Sequence, residues 1–134
     1  MRQLESSRGP FEVYLQLEPV AKGRPRMTRK GHVYTPEKTR TFEKNAKLLA
    51  KKQFWQQPLQ GPIAVDLLFY FKAPKKPKHA TYVVTRPDLD NLSKSICDAM
   101  NGLCWVDDSQ IVDLRVRKLY GEFPKVHLVF CELR

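Results

Sequence analysis

The chain contains no long hydrophobic run. Nowhere does it approach the roughly 18 consecutive apolar residues that a membrane-spanning helix needs, so no membrane association is expected. Cysteine is sparse and unpaired in number: Cys97, Cys104 and Cys131 show no C-x-x-C spacing. That argues against a disulfide framework or a zinc site, and for reduced thiols in a cytoplasmic protein. The opening stretch from Met1 to Gly9 has no apolar segment of the kind a secretory signal carries, and residues 1–9 are expected to be a flexible tail. No internal repeat and no linker-like stretch is visible. Acidic residues are also few, with 14 Asp and Glu against 24 Lys and Arg, a formal net charge of +10.

The 134 residues fit one domain spanning 1–134, and a hydrophobic content of 42% supplies one modest core. A basic excess of this size favours a polyanionic partner through counterion release. A basic protein that is simply soluble is the plainer alternative.

Phe11, Val13, Leu15 and Leu17 alternate with polar residues, which predicts a half-buried strand ended by Pro19. A basic loop without periodicity follows over 21–32. Thr35-Pro36-Glu37 then has the form of an N-cap, an N1 proline and an acidic first turn. The helix is expected to reach about Gln56, with an apolar stripe of Phe42, Ala46, Leu49, Ala50 and Phe54. Ile63, Val65, Leu67, Phe69 and Phe71 predict a second strand. Residues 72–80 form a Pro/Lys loop and 81–86 an extended segment, since Pro87 biases Arg86 away from the helical region. A second helix is expected over Asp90 to Asn101, with Gly102 at its C′ position. A turn at Asp107-Asp108-Ser109 leads to a strand bearing Val112, Leu114 and Val116. Tyr120 to Pro124 is expected as a hairpin loop before a last strand with Val126, Leu128 and Phe130. The order is β-α-β-α-β-β. The last two strands must be antiparallel if paired, which makes the expected fold α+β with a mixed sheet.

The chemistry-bearing residues cluster at the second helix. If it starts near Asp90, Asp88 lies on extended chain just before it, and the two carboxylates can converge on one cation. Lys94 is one turn further on the same face. Asp108 opens the following strand and can return to the helix start. Three hard oxygen ligands with open positions suit Mg²⁺, with Mn²⁺ as a substitute. Such an ion would polarise a phosphoryl oxygen and lower the pKa of a bound water, and Lys94 would stabilise developing charge. Ordinary explanations stand beside this one. Asp88 or Asp90 could be a helix cap, Lys94 a helix pair with Asp90 or Asp98, and Asp107-Asp108-Ser109 a simple turn.

Three segments, Arg86-Pro-Asp-Leu-Asp-Asn-Leu-Ser-Lys94, Asp98-Ala-Met-Asn-Gly102 and Trp105-Val-Asp-Asp-Ser-Gln-Ile111, resemble the RusA family of Holliday junction resolvases. Weaker similarity takes in Gly23-Arg-Pro-Arg26, Val33-Tyr-Thr-Pro36, Phe69-Tyr-Phe71 and Lys118-Leu-Tyr120. The resemblance implies a Mg²⁺- or Mn²⁺-dependent endodeoxyribonuclease that acts as a homodimer and cuts four-way DNA junctions in recombination and repair. Members of the family are bacterial and often prophage-encoded. The family's essential aspartates fall on Asp88, Asp90 and Asp108 and its essential lysine on Lys94, with Asp107 the lesser member of the acidic pair. No small-molecule cofactor is implied. Restriction-type nucleases use a PD…(D/E)xK pattern, which Pro87-Asp88 begins but no later triplet completes.

Two basic loops flank these motifs. Lys22, Arg24, Arg26, Arg29 and Lys30 lie in one, and Lys72, Lys75, Lys76, Lys78 and His79 in the other. Of these, Lys22, Arg24, Arg26, Arg29, Lys30, Lys75, Lys76 and Lys78, together with Arg86, are expected to contact DNA phosphates, the alternative being solvated loops. Phe69, Phe71 and Trp105 are expected in the core. A non-enzymatic junction-binding protein and a nuclease for flaps or forks are the competing functions. The first gains nothing from carboxylates that repel phosphate unless a cation intervenes.

Overall fold

Residues 6–134 are described in the computed structural model, which shows two helices beside a four-stranded sheet and a short ribbon. The strands are β1 (Ser6–Leu15), β2 (Arg26–Met27), β3 (Val33–Tyr34), β4 (Ile63–Lys72), β5 (Ile111–Gly121) and β6 (Lys125–Leu133). The helices are α1 (Glu37–Lys51) and α2 (Leu89–Ala99), with a 3₁₀ turn at Asp108–Gln110. Of the expected tail, residues 1–5 lie outside the described residues, whereas Ser6 to Gly9 belong to β1 and pair with β6.

The sheet runs β1-β6-β4-β5. β4 pairs parallel with β5 and antiparallel with β6, so the expected mixed α+β architecture holds. The reason differs from the one anticipated. β5 and β6 are not a hairpin, because β4 lies between them. Its run Ile63–Leu67 is buried at every position, which suits a central strand covered on both faces. Residues 122–124 therefore cross over the end of β4. Spanning two strand spacings, about 10 Å, is within the reach of so short a link.

The core lies between this sheet and the two helices. β1 contributes Val13 and Leu15, β4 Val65, Leu67 and Phe69, and β6 Leu128 and Phe130. The helices contribute Phe42, Ala46, Ala50, Leu92 and Ile96. Trp105 is fully buried and meets Phe130 edge-on at 5.6 Å, and Phe54 packs on Phe130 at 5.3 Å. Phe71, expected in the core, is only partly buried at its margin.

Helix boundaries differ from the expectations by a few residues. In α1 the N-cap is Pro36 rather than Thr35. The helix stops at Lys51, short of Gln56, because Gln53 leaves it to act on β1. The Gln53 amide accepts from the Tyr14 N–H at 2.8 Å and donates to the Tyr14 carbonyl at 2.7 Å, imitating a strand partner. α2 ends at Ala99, which places Gly102, with φ +79°, one residue beyond C′. The segment expected to be extended before α2 runs along β5, with a bridge from Tyr82 to Leu119. No helix among the described residues is long and apolar enough to cross a membrane.

Candidate active site

Pro87 keeps Arg86 out of the helical region, so α2 opens abruptly at Leu89. Asp88 holds the N-cap position on extended backbone (φ −72°, ψ 146°), yet its carboxylate forms no capping hydrogen bond. Asp88 is thus the N-cap by position, but its carboxylate is not occupied by capping. Asp90 stands in the first turn, where the helix dipole favours a carboxylate, and its Oδ1 accepts from the neighbouring Asn91 N–H at 2.9 Å. Both side chains are exposed.

The acidic pair divides its labour. Asp107 is the N-cap of the 3₁₀ turn, its carboxylate accepting from the Ser109 N–H at 3.0 Å. Hydrogen bonding to the Ser109 side chain, and then to its backbone N–H, holds the Asp107 pKa below the ordinary carboxylate value. Gln110 accepts from the Asp107 N–H at 2.8 Å and donates to the carbonyls of Leu59 and Gly61 at 2.8 and 3.0 Å. The turn is thereby fastened to the start of β4, and Asp108 is left to face α2. Gln110→Ala removes the donor from both carbonyls and should lower unfolding stability by about 2 kcal/mol, read from urea denaturation.

Asp90, Ser93, Lys94, Cys97 and Asp108 line one cleft of about 370 Å³, closed on the far side by residues 111–114 of β5. Lys94 Nζ lies 3.1 Å from Asp98 Oδ1 and 3.7 Å from Asp108 Oδ2. Asp98 also reaches Lys22 Nζ at 3.2 Å, and Lys22 in turn pairs with Glu43. A continuous run of alternating charge thus leads from α1 to the cleft. The Asp98 hydrogen bond raises the Lys94 pKa, so this side chain is an ammonium through the neutral range. Burial would raise Asp98, but its bonds to Lys94 and Lys22 outweigh that and lower it. Burial pushes the Cys97 thiol up to about 12, so without a bound cation it stands protonated in the cleft at neutral pH.

Asp88 does not line this cleft, and no group of three His, Cys, Asp or Glu side chains among the described residues is gathered as a metal cluster. Asp90, Asp108 and Lys94 are brought together, and Asp88 sits immediately before the turn that carries Asp90. Sequence reasoning did not single out Asp113, which also borders the cleft, and treated Asp98 only as a helix partner. The i, i+4 spacing of Lys94 and Asp98 was the visible signal for the latter, but the second contact of Asp98, to a residue 76 positions away, was not.

Lys22 departs from its expected place among the phosphate contacts. Its N–H donates to the Asn91 carbonyl at 2.9 Å and its ammonium is engaged by Glu43 and Asp98. Arg24, Arg26, Arg29, Lys30, Lys75, Lys76, Lys78 and Arg86 are exposed. The first basic loop is partly a ribbon, β2 pairing with β3 around a turn in which Gly31 adopts φ +84°. A larger hollow of about 730 Å³, bordered by Arg24, Arg26, Lys38, Phe71 and Pro87, separates this ribbon from the segment before Asp88. In the second basic loop, His79 Nδ1 accepts from the N–H groups of Thr81 and Tyr82 at 3.1 and 3.0 Å.

A family model described as Endodeoxyribonuclease RusA matches residues 16–129. The chain is 35% identical to the uncharacterized protein YqaN of Bacillus subtilis strain 168, over 87% of this chain and 92% of that one. It is 28% identical to a protein of Lactococcus phage r1t named crossover junction endodeoxyribonuclease rusA, over 92% of this chain and 97% of the relative.

Proposed function

The chain belongs to the RusA endodeoxyribonuclease family, and from that membership we propose that it resolves four-way DNA junctions by paired, symmetric, Mg²⁺-dependent nicks. The observation that carries this reading is the meeting of Asp90, Asp108 and Lys94 in one cleft on an otherwise basic protein.

The donor set fits a hard divalent cation. Asp90 and Asp108 offer carboxylate oxygens from two elements, and Asp88 adds a carboxylate that makes no capping hydrogen bond at the helix mouth. Asp88, Asp90 and Asp108 would hold the ion, with Mn²⁺ able to replace Mg²⁺. Bound there, it supplies a lowered water pKa and charge neutralisation on the phosphodiester. Lys94 places a fixed positive charge beside Asp108, where a pentavalent phosphorus would carry its extra negative charge. Asp98 keeps that ammonium charged and aimed. The reaction is an in-line displacement that leaves a 5′-phosphate and a 3′-hydroxyl.

The exposed cations of the two loops and Arg86 would supply phosphate contacts. A four-way junction is close to two-fold symmetric, so a symmetric homodimer presents one site to each of two opposed strands. Incubation of the protein with an end-labelled junction tests the reading. Mg²⁺ should give ligatable nicks with 5′-phosphate ends, and EDTA should give none. Metal-independent cutting, or binding without any cutting, would contradict it.

Asp98→Asn should cut about tenfold more slowly, since the aim of Lys94 is loosened, while junction affinity stays within about twofold in Ca²⁺. Equal rates for the two proteins would reduce Asp98 to a surface pair.

A further inference from the structure

We infer that Lys118 is a positioning residue for Asp88, holding the backbone that presents this carboxylate at the mouth of α2. The inference rests on the reading of Asp88 as a cation ligand. Lys118 lies on β5, and its ammonium donates to the carbonyl of Thr85 at 2.9 Å and to that of Pro87 at 2.8 Å. The second of these bonds is partly buried.

Backbone pairing explains why a side chain is needed there. The segment before Asp88 follows β5 through bonds between Tyr120 N–H and the Thr81 carbonyl and between Val83 N–H and the Lys118 carbonyl. Pro87 has no N–H, so pairing of this kind cannot continue to the helix. Lys118 takes over where it stops. The Pro87 carbonyl and the Asp88 nitrogen share one planar peptide, so fixing the oxygen fixes the plane about which Asp88 turns. On the other side, the Asp88 carbonyl accepts from the Leu92 N–H at 3.1 Å as the first turn of α2. Asp88 is thus gripped from both directions, by a charge-assisted pair of bonds before it and by the helix after it.

The test is a double-mutant cycle on Mn²⁺ binding, with free Mn²⁺ measured by electron paramagnetic resonance and no DNA present. Lys118→Met and Asp88→Asn should each weaken binding about tenfold, in the range seen when a metal ligand's support is removed. The double variant should bind no worse than Asp88→Asn alone, because a support has no effect once the group it supports is gone. Lys118→Arg, which keeps donors for both carbonyls, should recover most of the affinity. Normal Mn²⁺ binding by Lys118→Met, or losses that multiply in the double variant, would overturn the inference and leave the site reading intact. Normal binding by Asp88→Asn would overturn both. Should Lys118→Met fail to fold, Lys118→Gln, whose shorter side chain cannot bridge both carbonyls, carries the same comparison.

Discussion

Asp90→Asn should abolish junction cleavage and leave junction binding intact. The substitution keeps side-chain volume, and the amide can still accept from the Asn91 N–H through its oxygen, so α2 loses no contact on which its start depends. What disappears is a negative charge in a cleft shared with Asp108 and Lys94. A carboxylate that holds a divalent cation is worth several kcal/mol to the transition state, so the rate should fall by about 10³ or more. Affinity for the junction, measured in Ca²⁺ or without metal, should hold or rise slightly, because one source of repulsion toward phosphate is gone. Cutting at the wild-type rate would remove Asp90 from the site.

Lys94→Ala should bind the junction and cut it about 10²-fold more slowly, the magnitude expected when one preorganised charge near a developing anion is removed. Single-turnover rates at saturating protein separate this from a binding defect. Two alternatives make different predictions. Were Lys94 only a partner of Asp98, its loss would leave the rate unchanged, since an exposed i, i+4 pair contributes about 0.5 kcal/mol of stability or less. Were it a general base, its contribution would grow as pH rises toward its pKa. Asp98 raises that pKa, so the ammonium is fully formed at neutral pH. The ratio of wild-type to variant rate should accordingly stay flat from about pH 6 to about pH 9.

The charge run that ends at Lys94 also bears on acid stability. Asp98 has a lowered pKa in the folded chain, so its contribution is present above the ordinary carboxylate value of 3.8 and disappears as pH falls through the lowered one. Lys22 and Lys94 are shifted upward, so theirs is present below 10.5 and is lost only as pH rises past their raised values. The clamp between α1 and α2 is therefore intact across the whole range in which a nuclease would be assayed.

Much of this arrangement could be read from the residues themselves. The stripe Phe42, Ala46, Ala50 and the alternation of Phe11, Val13 and Leu15 located α1 and β1, because burial of one face imposes a period. The D-L-D-N-L-x-K segment located the mouth of α2, and the D-D-x-Q segment its opposing turn. The placement of β4 between β5 and β6 was not legible, since a short link says nothing about a third strand slipping between its ends. The ribbon at Arg26–Met27 and Val33–Tyr34 escaped for another reason, as two residues are too few to show a period. Lys22 looked like its loop neighbours and turned inward only because Asp98 and Glu43 meet it there, a contact made by tertiary packing. The role of Lys118 was equally hidden, because its partners are backbone carbonyls that carry no sequence signal.

The most direct measurement of the central claim compares one end-labelled four-way junction with a linear duplex of the same sequence, using wild-type protein and Asp90→Asn, with and without Mg²⁺. Paired nicks are expected at symmetry-related positions on opposed strands, from the wild-type protein only, in Mg²⁺ only, and on the junction only. Equal cutting of the duplex, unpaired nicks, or nicking by Asp90→Asn at the wild-type rate would contradict that claim.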